Sequence, residues 1–411
     1  MTSPSCLETE PRLAGPANPT DRSNRLPLAK LAALTFAAFI ALLTEIMPAG
    51  LLPQISEGLR ISDSLSGQFI ATTGIGAMLA AIPLMLTTQG ISRKRLTLIA
   101  AGGLVAMNCV TALSDQYVIT LGARFLGGIF IGLNWSVVFV YALRLVPPHL
   151  AARTIAIMTL AIPLAFTLGA PTVAFLGKII GWRETFCIVG LCGILDLMWM
   201  AIALPDAAGH ARQAKVRLVP TFFLPGLRAV LFATLTYVLA YSILYTYIAP
   251  LLANAHLTEH VDSLLLIFGG ASVLGVIVSA IWADRWLRGM ILGSTLLFAA
   301  CAIALGAWNE SPSAVTLAIA FWGIAYGIGP ALLTAATSQT GGEAADVAQA
   351  FLVTVWNLSV AGGGVIGGFV LSQFGIAPFP WIAAGLLALS LATIWLAKSH
   401  GFPKAAKAVP T

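Results

Sequence analysis

A chain of 411 residues with 58% hydrophobic and 9% charged residues has too little polar surface to cover a water-facing globule, so a soluble protein is excluded and the chain belongs in lipid. A bilayer-crossing helix needs about 20 apolar residues, so this length holds about twelve spans and leaves no room for a sizeable soluble domain. The net charge of +6 is accounted for by orientation in the membrane, without nucleic acid.

In chain order, residues 1–29 form a polar tail rich in Pro, Ser and charge, with neither the apolar stretch nor the cleavage site of a secretory signal. Apolar runs then predict helices at 30–52, 65–87, 96–114, 117–142, 152–177 and 185–204. A connection at 205–227, carrying Pro205, Pro220, Pro225 and the cations Arg212, Lys215 and Arg217, reads as a linker. Six further runs follow at 228–252, 263–283, 289–307, 314–336, 346–372 and 378–397, and residues 398–411 form a second tail. The prediction is an all-α integral membrane protein of twelve transmembrane helices in two pseudo-symmetric six-helix bundles, 30–204 and 228–397. With the N-terminus in the cytoplasm, 18 of the 22 Lys and Arg residues fall inside, which predicts an inner-membrane protein with both termini cytoplasmic.

A faint internal repeat supports the division. Ala49-Gly50-Leu51-Leu52 returns as Ala249-Pro250-Leu251-Leu252, and Gly169 and Gly181 correspond to Gly363 and Gly375. Parallel duplicated halves are a transporter architecture.

Ionisable residues inside a span are costly in hydrocarbon and mark functional positions by default. Glu45 in the first span and Arg124 in the fourth sit at a similar depth and are expected to answer one another, with the carboxylate also able to carry a proton. Asp196 in the sixth span could serve a proton relay or stay protonated and bond to a neighbouring helix. Tyr237, Tyr241 and Tyr245 recur every fourth residue, a stripe suited either to packing or to lining a solute path. Gln68, Asn134 with Trp135, Trp322 with Tyr326, and Asn357 beside Trp356 are further candidates for solute contact or for bonds between helices. The glycines of the fourth and eleventh spans permit close backbone approach. Cys109, Cys187, Cys192 and Cys301 read as buried packing residues, with Cys6 in the tail. His256 and His260 stand one helical turn apart, a spacing that can bind zinc, but Glu259 is out of place for the metalloprotease pattern, and no phosphate-binding Gly-Lys-Ser/Thr loop occurs, so neither metal, cofactor nor enzyme activity is expected.

Four stretches together resemble the major facilitator superfamily, specifically its twelve-span drug:proton antiporter branch with the sugar-efflux and arabinose-efflux permeases. They are Thr44-Glu45 through Ala49-Gly50-Leu51-Leu52-Pro53, Arg124-Phe125-Leu126-Gly127-Gly128, Gly169-Ala170-Pro171 running to Gly181-Trp182-Arg183, and Thr246-Tyr247-Ile248-Ala249-Pro250-Leu251. The resemblance covers about residues 30–397. It implies that Arg124 and Glu45 take part in proton coupling, that Gly169 and Pro171 form the exporters' kink, and that Asp284-Arg285 braces a gate. It further implies a proton-coupled exporter of a small organic solute working by alternating access, a monomer whose partners are the solute, protons and membrane lipid. The alternative is a proton-coupled uptake symporter on the same fold. The chain departs from the family in three places: Thr88 to Arg95 holds no acid, Gly127 stands where Gln is usual, and Thr172-Val173 replaces a glycine pair.

Overall fold

The computed structural model describes residues 26–88, 90–206, 218–398 and 400–402. Most of the two predicted tails and the middle of the linker, with Cys6 and His210, lie outside the described residues.

A helix occupies every one of the twelve predicted segments. We label them α1 Leu28–Gly50, α2 Asp63–Thr87, α3 Arg93–Leu113, α4 Tyr117–Arg144, α5 Arg153–Ile179, α6 Trp182–Ala203, α7 Leu227–Thr246, α8 Thr258–Ala283, α9 Arg285–Ala307, α10 Pro312–Gly341, α11 Ala345–Phe374 and α12 Phe379–Leu396. Ten stretches of the described residues are long and apolar enough to cross a membrane, and one of these, Pro312–Phe374, contains both α10 and α11. Large apolar side chains such as Leu113, Val118 and Ile202 are exposed, as a lipid-facing surface requires. Trp286 and Trp395 near one end, and Trp308 and Trp381 near the other, are exposed at helix ends, where an amphipathic indole fits the headgroup region. Cys187 also belongs to the lipid face. It is exposed, contrary to the packing role expected of it, because α6 is an outer helix with one face turned away from the bundle.

Local chemistry sets the helix ends. Ser62 caps α2 by accepting the Leu65 N–H at 3.3 Å, with Asp63 in the first turn, and Ser311 does the same for α10 with Pro312 following. The breaks after α5 and α11 fall on Gly181 (φ +96°) and Gly375 (φ +72°), backbone conformations that favour glycine. These are the same two glycines that the internal repeat pairs. α1 and α7 likewise both break near their ends, at Leu51 and Tyr247, and each resumes as a short helix, Leu52–Leu59 and Ile248–Leu252.

The two halves share a deeper signature. A Cβ placed on Gly128 of α4 would fall on the Thr73 carbonyl oxygen of α2, and one on Gly76 of α2 would fall on the Phe125 carbonyl oxygen of α4. In the second half, Gly327 of α10 abuts the Ser272 carbonyl of α8, and Gly275 of α8 abuts the Ile324 carbonyl of α10. Gly76 and Gly275, Phe125 and Ile324, Gly128 and Gly327, and Thr73 and Ser272 are each 199 residues apart. One helix-on-helix clasp, reciprocal glycines against carbonyls, is therefore built twice.

Contact between the halves runs along α2 against α11 and α5 against α8. Here too glycine sets the spacing: a Cβ on Gly74 would lie 2.9 Å from the Ala361 nitrogen, and one on Gly364 would lie 3.0 Å from the Ala71 nitrogen. Ser64 donates to the Gly368 carbonyl at 2.6 Å and Gln68 to the Gly364 carbonyl at 3.2 Å. Lys178 at the end of α5 pairs with Asp262 of α8 at 3.4 Å and donates to the Glu259 carbonyl. These bonds of Ser64, Gln68 and Lys178 across the halves all sit at the end opposite to that where α1 begins and α12 finishes.

Candidate functional site: a carboxylate in an aromatic cavity

Between the halves lies a cavity of about 30 Å³, lined by α1, α2, α5, α7, α10 and α11. Glu45 is its one charged lining residue, 7% exposed. Around it stand Phe166, Tyr241, Tyr245, Tyr326 and Trp356, with the hydroxyl side chains of Ser242 and Thr246. Tyr241 and Tyr326 stack face to face with centroids 4.1 Å apart and planes 23° from parallel. Phe166 meets Tyr245 and Tyr326 edge-on at 5.7 and 5.4 Å. Such rings offer a flat solute both faces and edges, and one carboxylate supplies hydrogen-bond acceptance or a place for a proton. The Ser242 hydroxyl has no protein partner, so it is available to a bound solute.

Phe166 enters this cavity from an irregular turn that precedes Pro171. Proline has no N–H, so the Thr167 carbonyl four residues earlier loses its helical donor. The chain answers with a wide turn over Ala165–Gly169, in which the Ala170 N–H bonds to the Ala165 carbonyl five residues back. The wide turn packs against α8 where Gly269 leaves room: a Cβ there would lie 2.5 Å from the Thr167 Cα. Pro171→Ala restores the missing donor and is expected to relax the turn, withdraw Phe166 from the tyrosines and weaken solute binding by about fivefold. That is the loss of an aromatic contact worth about 1 kcal/mol, and calorimetric titration checks it.

Arg124 does not form the expected ion pair with Glu45; the two groups are not within ion-pair distance. Its guanidinium instead donates to the Thr44 carbonyl at 2.6 Å and lies 5.7 Å from the Phe186 ring centroid. The reason is again a proline. Thr44 precedes Pro48 by one helical turn, so its carbonyl has no helical donor, and an orphaned carbonyl in a dry interior needs one. Asn108 of α3 bonds the Thr44 hydroxyl at 3.0 Å. Arg124 is thus tied to the backbone next to Glu45, so the two charges are linked through α1 rather than by contact.

The other candidates divide. Tyr237 lies behind the cavity and donates to the Ala325 carbonyl at 3.0 Å, and Trp322 stacks on Phe298. Gln68 belongs to the bond between the halves. Asn134 and Asp196 line a separate cavity of about 10 Å³ inside the first half. Trp135 stacks on Phe139, and Asn357 bonds the Val353 carbonyl of its own helix at 2.9 Å. Gly169 closes the wide turn beside Pro171. The α8–α9 run kinks at Trp286 (φ −135°, ψ 27°), next to exposed Arg285; the Asp284 side chain lies outside the described residues. Sequence reasoning missed Phe166, Ser242, Thr246, Thr44 and Asn108. Thr44 could have been found by asking which carbonyl lies one turn before each intramembrane proline; Asn108, which bonds the Thr44 hydroxyl, carries no such signal.

The Major Facilitator Superfamily profile matches residues 34–363 and 230–411, its second match beginning close to the start of α7. The chain is 26% identical over 370 residues to the purine ribonucleoside efflux pump NepI of Escherichia coli (strain K12), covering 89% of this chain and 92% of that protein. It is also 26% identical over 369 residues to the NepI of Salmonella enteritidis PT4, with the same coverage. Among solved structures, a D-xylose-proton symporter superposes with a TM-score of 0.74 at 15% identity over 93% of this chain and 99% of that one. The inward open xylose transporter XylE from E. coli gives 0.73 at 15% identity over 92% and 99%, and the nucleoside transporter NupG gives 0.70 at 12% identity over 91% and 99%. The profile matches span most of the chain, and the repeated halves and central cavity fit them: this protein is a multi-pass membrane transporter belonging to the Major Facilitator Superfamily.

Proposed function

We propose that the protein exports a small organic solute of the nucleoside class across the inner membrane in exchange for protons. The observation that carries this reading is the single carboxylate, Glu45, set among stacked aromatic rings in the cavity between the halves. At about 30 Å³ the cavity as it stands holds only a water or two, so a solute enters as the halves part; a flat heterocycle would then stack on the tyrosines, sugar hydroxyls would find Glu45, Ser242 and Thr246, and the same carboxylate would accept a proton once the solute leaves. The efflux of purine ribonucleosides named for the NepI relatives supports the solute class.

Both termini face the cytoplasm in this reading, so the bonded end of the bundle faces outward. The outer entrance is then held shut by Ser64, Gln68 and Lys178, and the solute site is reached from inside. Rocking of the halves about α2–α11 and α5–α8 would open the outer end, where protons reload Glu45 and displace the solute. The protein works as a monomer in lipid, without nucleic acid.

Everted membrane vesicles separate export from uptake. With the interior acid, they are expected to accumulate radiolabelled adenosine or inosine, and the accumulation is expected to vanish when the pH gradient is collapsed. Accumulation only in right-side-out vesicles with acid outside would make the protein an uptake symporter.

A further inference from the structure

The central cavity has a counterpart on the other face of α1. Leu42, Glu45 and Ile46 face the solute cavity, whereas Ala37 and Ile40 face a second cavity enclosed by α1, α3, α4 and α6. Asp196 of α6 lies in that wall, 2% exposed, and its Oδ1 atom has no hydrogen-bond partner. The facing elements bring no charge to it. α1 contributes Ala37 and Ile40, α3 contributes Ala101 and Leu104, and the other polar side chain is Asn134 of α4, itself 2% exposed. Asn134 reaches the Ala37 carbonyl only at 3.5 Å.

An ionised carboxylate in such a wall, with no cation and one amide, costs several kcal/mol, while the protonated acid costs far less. At about 10 Å³ the cavity admits one water at most. It has no room for a solute, and its two polar groups are too few to coordinate a metal cation. The ligand this geometry suits is a proton, carried on the carboxyl, with the Asn134 amide in the same wall. The site is also at a different depth. Asp196 lies seven residues before the end of α6, about 10 Å in from the end where α1 begins, whereas Glu45 lies about 25 Å in.

We propose that Asp196 and Asn134 form a second proton-binding site, separated from the solute by α1, so that each transport cycle moves one proton beyond the one Glu45 carries. This rests on the proton-coupled reading above. Because α1 forms a wall of both cavities, a shift of α1 that reshapes the solute site also reshapes the Asp196 pocket, and proton binding there responds to the solute without competing with it.

The test is the number of protons moved per adenosine by the full-length protein in proteoliposomes carrying a trapped pH dye. Asp196→Asn is expected to retain adenosine exchange while moving one proton fewer per cycle, lowering the adenosine gradient held at a pH difference of one unit by about tenfold. Asp196→Glu is expected to restore the wild-type number. Should Asp196→Asn fail to fold, Asn134→Leu removes the other polar group and is expected to show the same deficit. A folded, exchanging Asp196→Asn protein with the wild-type proton number overturns the second site and leaves coupling through Glu45 standing. A wild-type protein that exchanges adenosine without moving protons overturns both.

Discussion

Glu45→Gln is expected to abolish solute accumulation driven by a pH gradient while leaving the protein inserted, folded and able to exchange solute on one side for solute on the other. Glutamine keeps the size and one acceptor oxygen of glutamate but cannot take up a proton. In the central cavity no other ionisable carboxyl stands in for it. Each coupled proton contributes a factor of about ten to the solute gradient per unit of pH difference. With Glu45 silent, the central cavity has lost its coupled proton, and the cycle in which that proton displaces the solute cannot be completed. The variant is expected to hold no gradient in vesicles, and counterflow of labelled against unlabelled adenosine is expected to survive. Loss of counterflow together with accumulation would instead assign Glu45 to solute binding alone.

The second large effect is structural and appears twice. Gly128→Ala and Gly327→Ala are each expected to destabilise the protein by about 1 to 3 kcal/mol, the usual cost of forcing a group into filled space. In both cases the added methyl meets a carbonyl oxygen of the neighbouring helix, so the helix itself must move. Gly122 of α4 and Gly293 of α9 have nothing within 4 Å of an added Cβ. Alanine at those two positions is expected to be neutral or to stabilise by up to about 1 kcal/mol through its higher helix propensity. Thermal unfolding in detergent checks all four. Equal losses at Gly128 and Gly327 would mean that the clasp contributes equally in the two halves; a loss at one alone would show that the halves have diverged in how they hold together.

Lipid makes the fold of such a chain legible, because a spanning helix must be apolar along its whole length and must satisfy its own backbone. That is why the twelve apolar runs map onto helices, and why Gly181 and Gly375, which sequence reading paired as repeats, both turn up with positive φ at helix breaks. The glycine clasp was harder to read, since Thr73, Ser272, Phe125 and Ile324 take part through their backbone carbonyls, which any residue type supplies. Of the site, Glu45 and three tyrosines could be named because ionisable and amphipathic groups stand out against hydrocarbon. Their grouping could not: Tyr237 and Tyr241 are one turn apart on α7, yet a small rotation around the helix puts one in the cavity and the other behind it. Pairing Glu45 with Arg124 by depth found electrostatic neighbours but not a contact, because depth carries no information about azimuth and because Pro48 had already created a better acceptor for the arginine in the Thr44 carbonyl. Phe166 was hidden for a related reason. It sits within the wide turn beside Pro171, where regular helical periodicity no longer tells which way a side chain points.

The central claim is that solute and proton movements meet at Glu45. Its most direct measurement is the pH change on adding adenosine to the purified wild-type protein in weakly buffered detergent solution, beside Glu45→Gln. Proton release on solute binding, with the share due to Glu45 absent from the variant, is the predicted result. Binding of adenosine with the same proton release in both proteins would contradict the account.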